Sequence, residues 1–260
     1  MPMSEQHPNL IGKKILNTRA EKQAGVTTAE ILKRGGVPLH LACLEMECLH
    51  KNIRQSIPLL QDNTAEVLFT SRNGVACVAD LFGNDFSNIF KPHKITAIGN
   101  KTATTLKQLG VSPEMIPEAA SQEGLIDAYQ HADIPKKLIF FRAEEGNDAL
   151  SHALTSQGCE VSTIHAYRMK SPESDASIII KQMQRHEVDA VLLGSPKTVQ
   201  NYIQRIGNIE IANIPAVATI SHQVATAAKK AGLSVQATAK TASFDAMLDA
   251  LADYFNKSGA

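Results

Sequence analysis

Glu66–Gly74 reads EVLFTSRNG, an apolar run that passes directly into Thr70, Ser71 and Asn73. Val, Leu and Phe in so short a run predict a buried strand. The hydroxyls after it stand where a helix would begin, so Thr70 or Ser71 can cap orphan backbone N–H groups. A strand that ends in a polar cap at a helix N-terminus is a ready anion site. Farther along, Asp189–Lys197, DAVLLGSPK, repeats the pattern: an apolar strand, then Ser195, then Pro196 at the expected first helical position. Two such stations predict two related lobes facing one ligand.

Working outward, the chain repeats itself. KKILNTRAE, ending at Glu21, parallels KKLIFFRAE, ending at Glu144, and both arms run through a helix into a glycine, Gly35 or Gly158. ITAIG at Ile95 parallels VATIS at Val217, and VSPEMIPEAAS at Val111 parallels LSVQATAKTAS at Leu233. A pair of copies is a duplicated domain rather than a solenoid. The first strand is expected at Lys14–Thr18, a helix at about Thr28–Arg34 and an extended segment over Val37–Met46. Further strands are expected at Lys94–Ile98 and Leu138–Phe141, and a short extended piece at Val111–Pro117. Strands alternating with helices predict an α/β protein with parallel sheets covered on both faces. Ligands of such sheets bind outside the carboxyl ends of the strands. The polar stations fall there: Thr18 and Arg19, Thr70 and Ser71, Gly99 to Thr102, Arg142, Ser195, and Ser221 with His222.

Composition narrows the function. Lys and Arg number 26, as do Asp and Glu, so a broad nucleic-acid footprint is not expected. Cys43, Cys48, Cys77 and Cys159 form no CxxC pair and are expected as free thiols of a reducing cytosol. The nine histidines show no HExxH or Cys/His ligand spacing, so no metal is expected. MPMSEQHPNL is not a signal peptide, and residues 1 to about 12 read as a disordered leader. No apolar run is long enough to span a membrane. A cytoplasmic protein is expected. There is no GxGxxG after the first strand and no GxxxxGK[ST], and Gly194-Ser195-Pro196 departs from GxSxG. The capping hydroxyls can simply start helices, Arg19 and Arg142 can be solvated strand ends, and Tyr167 can be an ordinary strand tyrosine.

Taken together the motifs resemble the uroporphyrinogen-III synthase family. The features are the strand ending in Thr18-Arg19, FTSRNGV at Phe69, AIGNKTA at Ala97, Ser121-Gln122-Glu123-Gly124-Leu125, and Ala166-Tyr167-Arg168 after GCEV. Each is weak alone; in this order, from about residue 14 to 251, the set is fairly specific. The resemblance implies two similar flavodoxin- or Rossmann-like α/β lobes joined by a two-stranded linker. Residues 1–36 with 172–260 would form a discontinuous lobe, 43–161 the other, and 37–42 with 162–171 the linker strands. It implies a lyase that cyclises hydroxymethylbilane to uroporphyrinogen III, inverting the last pyrrole ring and losing water, without cofactor or metal. Tyr167 matches the family's cleft tyrosine and is the expected catalytic group. Thr70, Ser71, Thr102 and Ser195 match ligand-binding hydroxyls, Thr18 and Arg19 a strand-end pair, and Arg142 and Ser221 complete the expected substrate-binding set. Many relatives carry G-x-T-T-A after the late strand; here Ser221-His222-Gln223-Val224-Ala225 stands instead, so no threonine is assigned there. The expected partner is the small-molecule substrate, with a transient contact to the upstream hydroxymethylbilane synthase, no nucleic acid and no membrane, and the expected state is a monomer. A non-enzymatic two-lobed binding protein or sensor for an anionic small molecule is the alternative, and a nucleotide-dependent transferase a weaker one.

Overall fold

The computed structural model describes residues 9–258. In chain order the strands and α-helices are β1 (Lys14–Asn17), α1 (Glu21–Lys33), β2 (Val37–His40), β3 (Glu45–Cys48), α2 (His50–Arg54), β4 (Glu66–Phe69), α3 (Arg72–Phe82), α4 (Phe86–Phe90), β5 (Ile95–Ala97), α5 (Asn100–Gln108) and α6 (Gln122–Gln130). They continue with β6 (Lys137–Ala143), α7 (Ala149–Thr155), β7 (Glu160–Lys170), α8 (Ser177–Gln184), β8 (Ala190–Leu193), α9 (Pro196–Ile206), α10 (Ile209–Ala212), β9 (Ala216–Thr219), α11 (His222–Lys230), β10 (Val235–Thr238) and α12 (Phe244–Ser258). The chain divides into two units, one comprising Met1–Glu45 with Lys170–Ala260, the other Met46–Met169.

The first unit holds a five-stranded parallel sheet in the order β10-β9-β8-β1-β2. The order reverses between β1 and β8. The second unit's sheet runs β3-β7-β6-β4-β5, and β7, β6, β4 and β5 are parallel. β3 runs antiparallel to β7: Glu45 meets Lys170, Glu47 meets Arg168, and the Leu49 N–H reaches the Ala166 carbonyl. The duplication in the sequence maps onto this geometry. β7-β6-β4-β5 repeats β2-β1-β8-β9, with the reversal now between β6 and β4. The counterpart of β10 has shrunk to a single parallel bridge between Met115 and Thr96, where an extended piece over Val111–Pro117 is expected.

The β4 run EVLF and the β8 run AVLL are buried at every position. Such sequences suit parallel strands covered on both faces. Successive residues of each strand point to opposite faces. In the first unit Leu16, Val191, Leu193 and Val217 therefore join one core, and Ile15, Ala190, Leu192 and Ala218 the other. In the second, Val67, Phe69, Ile139 and Phe141 lie on one face, and Leu68, Leu138 and Phe140 on the other. Gly35 and Gly158, matched in the two copies, both take φ in the left-handed region, at 77° and 88°. Only glycine adopts that conformation without steric cost, and it ends the preceding helix.

Three expectations are corrected. The first helix begins at Glu21, not near Thr28, because Ala24, Thr27 and Ile31 form one buried stripe at helical spacing. Residues 1–8 of the expected leader lie outside the described residues, but Leu10 is buried and its N–H is bonded to the Arg34 carbonyl at 2.9 Å. The cysteines are not all free: Cys48 and Cys77 form a disulfide, while Cys43 and Cys159 are buried thiols. The pair is 29 residues apart in sequence and meets because the end of β3 lies against α3. No local spacing encodes that meeting.

Candidate functional site

In a doubly wound sheet the ligand crevice opens where strand order reverses, at the carboxyl ends of the strands. In the second unit that point lies between β4 and β6. The residue after Thr70 is Ser71, the N-cap of α3, whose Oγ accepts from the Gly74 N–H at 3.0 Å. The same Oγ donates to the Tyr167 phenol oxygen at 2.9 Å. Because the serine supplies the hydrogen, the phenol's own O–H remains free to point elsewhere. Tyr167 is 8% exposed. Its position depends on a β-bulge. Arg142 of β6 pairs with His165, but Ala143 pairs with Tyr167, so Ala166 is an extra residue on β7. Strict alternation from Ile164 and Ala166 would send Tyr167 to the opposite face. The bulge instead puts all three side chains in the core that includes Val75 and Val78 of α3, which brings the phenol to Ser71.

The other expected groups of this unit behave differently. The Thr70 hydroxyl and N–H both reach the Phe141 carbonyl at 3.4 Å, which ties the end of β4 to β6. Thr102 is buried in the first turn of α5, whose N-cap is Gly99 and makes no side-chain cap. Arg142 is 5% exposed rather than solvated. It donates to the Asn147 carbonyl and the Asp148 carboxylate at 2.7 and 2.5 Å, and its guanidinium lies 5.9 Å from the Phe140 ring centroid. It follows Phe140 on the sheet face opposite Phe141, away from Tyr167. Its Nε is buried without a hydrogen-bond partner. Ser121 caps α6 in the same way as Ser71 caps α3, accepting from the Gly124 N–H at 3.0 Å.

In the first unit the reversal lies between β1 and β8. Ser195 caps α9, accepting from the Thr198 N–H at 3.1 Å and sharing a 2.8 Å hydroxyl contact with Thr198. Pro196 sits at the first helical position, where its missing N–H costs nothing. Ser221 caps α11 more loosely, at 3.4 Å from the Val224 N–H. Thr18 is buried and donates to the Leu192 carbonyl of β8, so its hydroxyl joins the two strands at the reversal. Arg19 donates to Thr27 and Gln23 at 3.2 and 3.0 Å and stacks 4.3 Å from the Phe244 ring centroid. Desolvation holds its pKa below the ordinary arginine value. Its partners are neutral, so its charge is available to an anion.

The structure thus joins Ser71 with Tyr167 and, separately, Thr18 with β8 and Ser195 with Thr198. Sequence reasoning missed Thr198, Asp148 and Phe244. The Ser-x-x-Thr spacing could have flagged Thr198 as a capping partner. Nothing local points from Arg142 to Asp148 or from Arg19 to Phe244.

Two doubly wound units, each with hydroxyl-capped helix N-termini at the carboxyl edge of its sheet, define an α/β protein suited to an anionic ligand. The family model described as uroporphyrinogen-III synthase HemD matches residues 25–249, and the chain belongs to that family. A uroporphyrinogen-III synthase of Synechococcus elongatus is 27% identical over 239 residues, covering 85% of this chain and 89% of that protein. A porphyrin biosynthesis protein HemD of Ruminiclostridium josui is 24% identical over 248 residues; the match covers 93% of this chain and 48% of that relative, so the chain spans about half its length. The crystal structure of a Helicobacter pylori uroporphyrinogen-III synthetase shares the fold, with a TM-score of 0.60 at 15% identity over 95% of this chain and 100% of that one. Among the described residues no helix is long and apolar enough to cross a membrane.

Proposed function

We propose that the protein cyclises hydroxymethylbilane to uroporphyrinogen III, a lyase reaction that inverts the last pyrrole ring and releases water. The observation that carries the mechanism is the Ser71–Tyr167 contact at the N-terminus of α3. The Tyr167 phenol can both accept a hydrogen bond and donate its own O–H. Its oxygen accepts from Ser71, so its O–H can be given to the departing hydroxyl. The carbon–oxygen bond then breaks, the hydroxyl leaves as water with that proton, and the pyrrole nitrogen stabilises the resulting cation. The substituted α-carbon of the last ring attacks it to give a spiro intermediate; the bond from that carbon to the neighbouring methylene bridge then breaks and re-forms at the ring's free α-carbon, which inverts the ring. The proton lost when the ring regains aromaticity restores the phenol, so no net acid is consumed and no cofactor is required.

Carboxylates of the substrate are the anions that capped helix N-termini hold best. Ser71, Thr70 and Thr102 serve that role in the second unit, and Arg19, Ser195 and Ser221 in the first. Thr18 and Arg142 act by holding the strand ends that carry them. Much of the rate then comes from holding a flexible chain in the conformation that closes with inversion, ahead of its spontaneous closure without it. The protein works in the cytoplasm as a monomer, taking its unstable substrate from the upstream synthase.

The test is the isomer ratio. Fresh hydroxymethylbilane is supplied to the purified protein, and the oxidised products are separated by chromatography. Protein-dependent formation of mostly type III uroporphyrin is expected. Type I alone, at the rate seen without protein, would overturn the reading in favour of a non-enzymatic anion-binding protein.

A further inference from the structure

Four side chains with metal-ligating atoms converge on the side of the second unit where β3 and α2 meet α3. Cys48 is the last residue of β3 and His50 the first of α2; Cys77 and Asp80 stand one turn apart on α3. Residues three apart on a helix share a face, so both α3 groups turn to the same neighbour. One ligand atom from each of Cys48, His50 and Asp80 lies within 4.8 Å of the others. Cys77 is joined to Cys48 through the disulfide, with the Cα atoms 5.2 Å apart.

We propose that Cys48, Cys77, His50 and Asp80 form a site for a zinc-class divalent cation when the disulfide is reduced. The donor set is two thiolates, one imidazole and one carboxylate. Four such donors in a compact cluster suit a tetrahedral ion that accepts sulfur, and do not suit magnesium or calcium. Ligand–metal distances of about 2.0–2.3 Å place neighbouring ligand atoms roughly 3–4 Å apart, within the spread found here. A second observation points the same way. His50 Nε2 is buried and makes no hydrogen bond, although it lies 2.9 Å from Asp80 Oδ2. The contact is an ion pair that turns the imidazole nitrogen and the carboxylate oxygen toward one point beside the cysteines. The His50 and Asp80 side chains are 42% and 65% exposed, so the cluster lies at the margin of the core.

The chemistry balances through a named reductant. A dithiol passes two electrons and two protons to the Cys48–Cys77 bond, becomes a disulfide itself and leaves two thiols. The incoming cation displaces both thiol protons. Disulfide and metal are therefore alternative cross-links between β3 and α3. In a reducing compartment the metal form is the one expected to hold them together. The sequence hides this site because Cys48 and His50 are separated by one residue and the other two ligands come from a helix 29 residues on.

The experiment uses the full chain reduced with a phosphine, freed of chelator and titrated with Co²⁺ as a spectroscopic probe. One equivalent should bind per chain, with thiolate-to-cobalt charge-transfer bands and tetrahedral ligand-field bands, and Zn²⁺ should displace it. The same chain with its disulfide re-formed should show none of these bands. His50→Ala and Asp80→Asn, each checked for folding by circular dichroism, should each weaken Co²⁺ binding about 10-fold or more. Cys77→Ser should remove most of the charge-transfer intensity; should that variant fail to fold, the two surface variants decide the question. Absence of bands in the reduced chain would overturn the proposal. So would bands of unchanged strength in both His50→Ala and Asp80→Asn, which would assign the metal to other thiols. Cys43 and Cys159 are poor candidates, because burial pushes their pKa values up to about 12 and about 11.

Discussion

Arg19 and Arg142 occupy the same place in the two copies, at the carboxyl end of the strand beside the reversal of strand order. Their surroundings are opposite. Arg19 has neutral partners, Thr27, Gln23 and the face of Phe244. Arg142 is held by the Asp148 carboxylate and the Asn147 carbonyl. The cause is the connection that leaves each strand. After Arg19 the chain enters α1 at Glu21, whereas after Arg142 it makes a loop through Asp148 before α7 starts at Ala149. That loop folds back and answers the charge. The second unit in turn carries the phenol on a bulged strand, and the first has no described counterpart to the Ser71–Tyr167 pair. Duplicated backbones therefore supply similar rims, and the connecting loops decide which rim leaves its arginine beside neutral partners and which pairs it with a carboxylate.

The largest expected effect separates the proton donor from everything else. Tyr167→Phe should lower kcat by about 100-fold or more while the chain folds normally. The lost hydroxyl contact with Ser71 should reduce stability by only about 1 kcal/mol. Turnover near that of the unaltered protein in the uroporphyrin III assay would remove Tyr167 from the chemistry and leave the bulge a packing feature.

The two arginines should then diverge. Arg142→Ala should destabilise the protein by roughly 2–3 kcal/mol in urea denaturation, since buried guanidinium hydrogen bonds and packing are lost together. Arg19→Ala should cost about 1 kcal/mol, the scale of a half-buried cation–π contact. Its effect should appear in KM, raised about 10-fold through loss of a charge-assisted contact to a substrate carboxylate. A stability loss for Arg19→Ala with unchanged KM, alongside a KM effect for Arg142→Ala, would reverse the assignment of the two residues.

The smallest effects compare caps. Ser195→Ala should reduce stability by about 1 kcal/mol, and Ser221→Ala by less, because the Ser221 cap is 3.4 Å long against 3.1 Å for Ser195. Thermal unfolding of the two variants measures the difference. Equal losses would show that the longer cap is as strong as the shorter one.

The sequence by itself determined the α/β class, the two copies, the strand runs EVLF and AVLL, a hydroxyl cap at Thr70 or Ser71, and Ser195 ahead of a helix that begins at Pro196. These signals are local: a cap reads three residues ahead, and a buried strand announces itself within four. The order of the chain's motifs was also enough to identify the family. Only the tertiary structure decided which groups meet. Ser71 and Tyr167 are 96 residues apart, and a one-residue bulge sets the face on which the phenol lies. Asp148 neutralises Arg142 through the path of a loop, and Cys48 reaches Cys77 through the packing of β3 against α3. Such pairings depend on register and on how loops close, and the same local pattern is compatible with several of each.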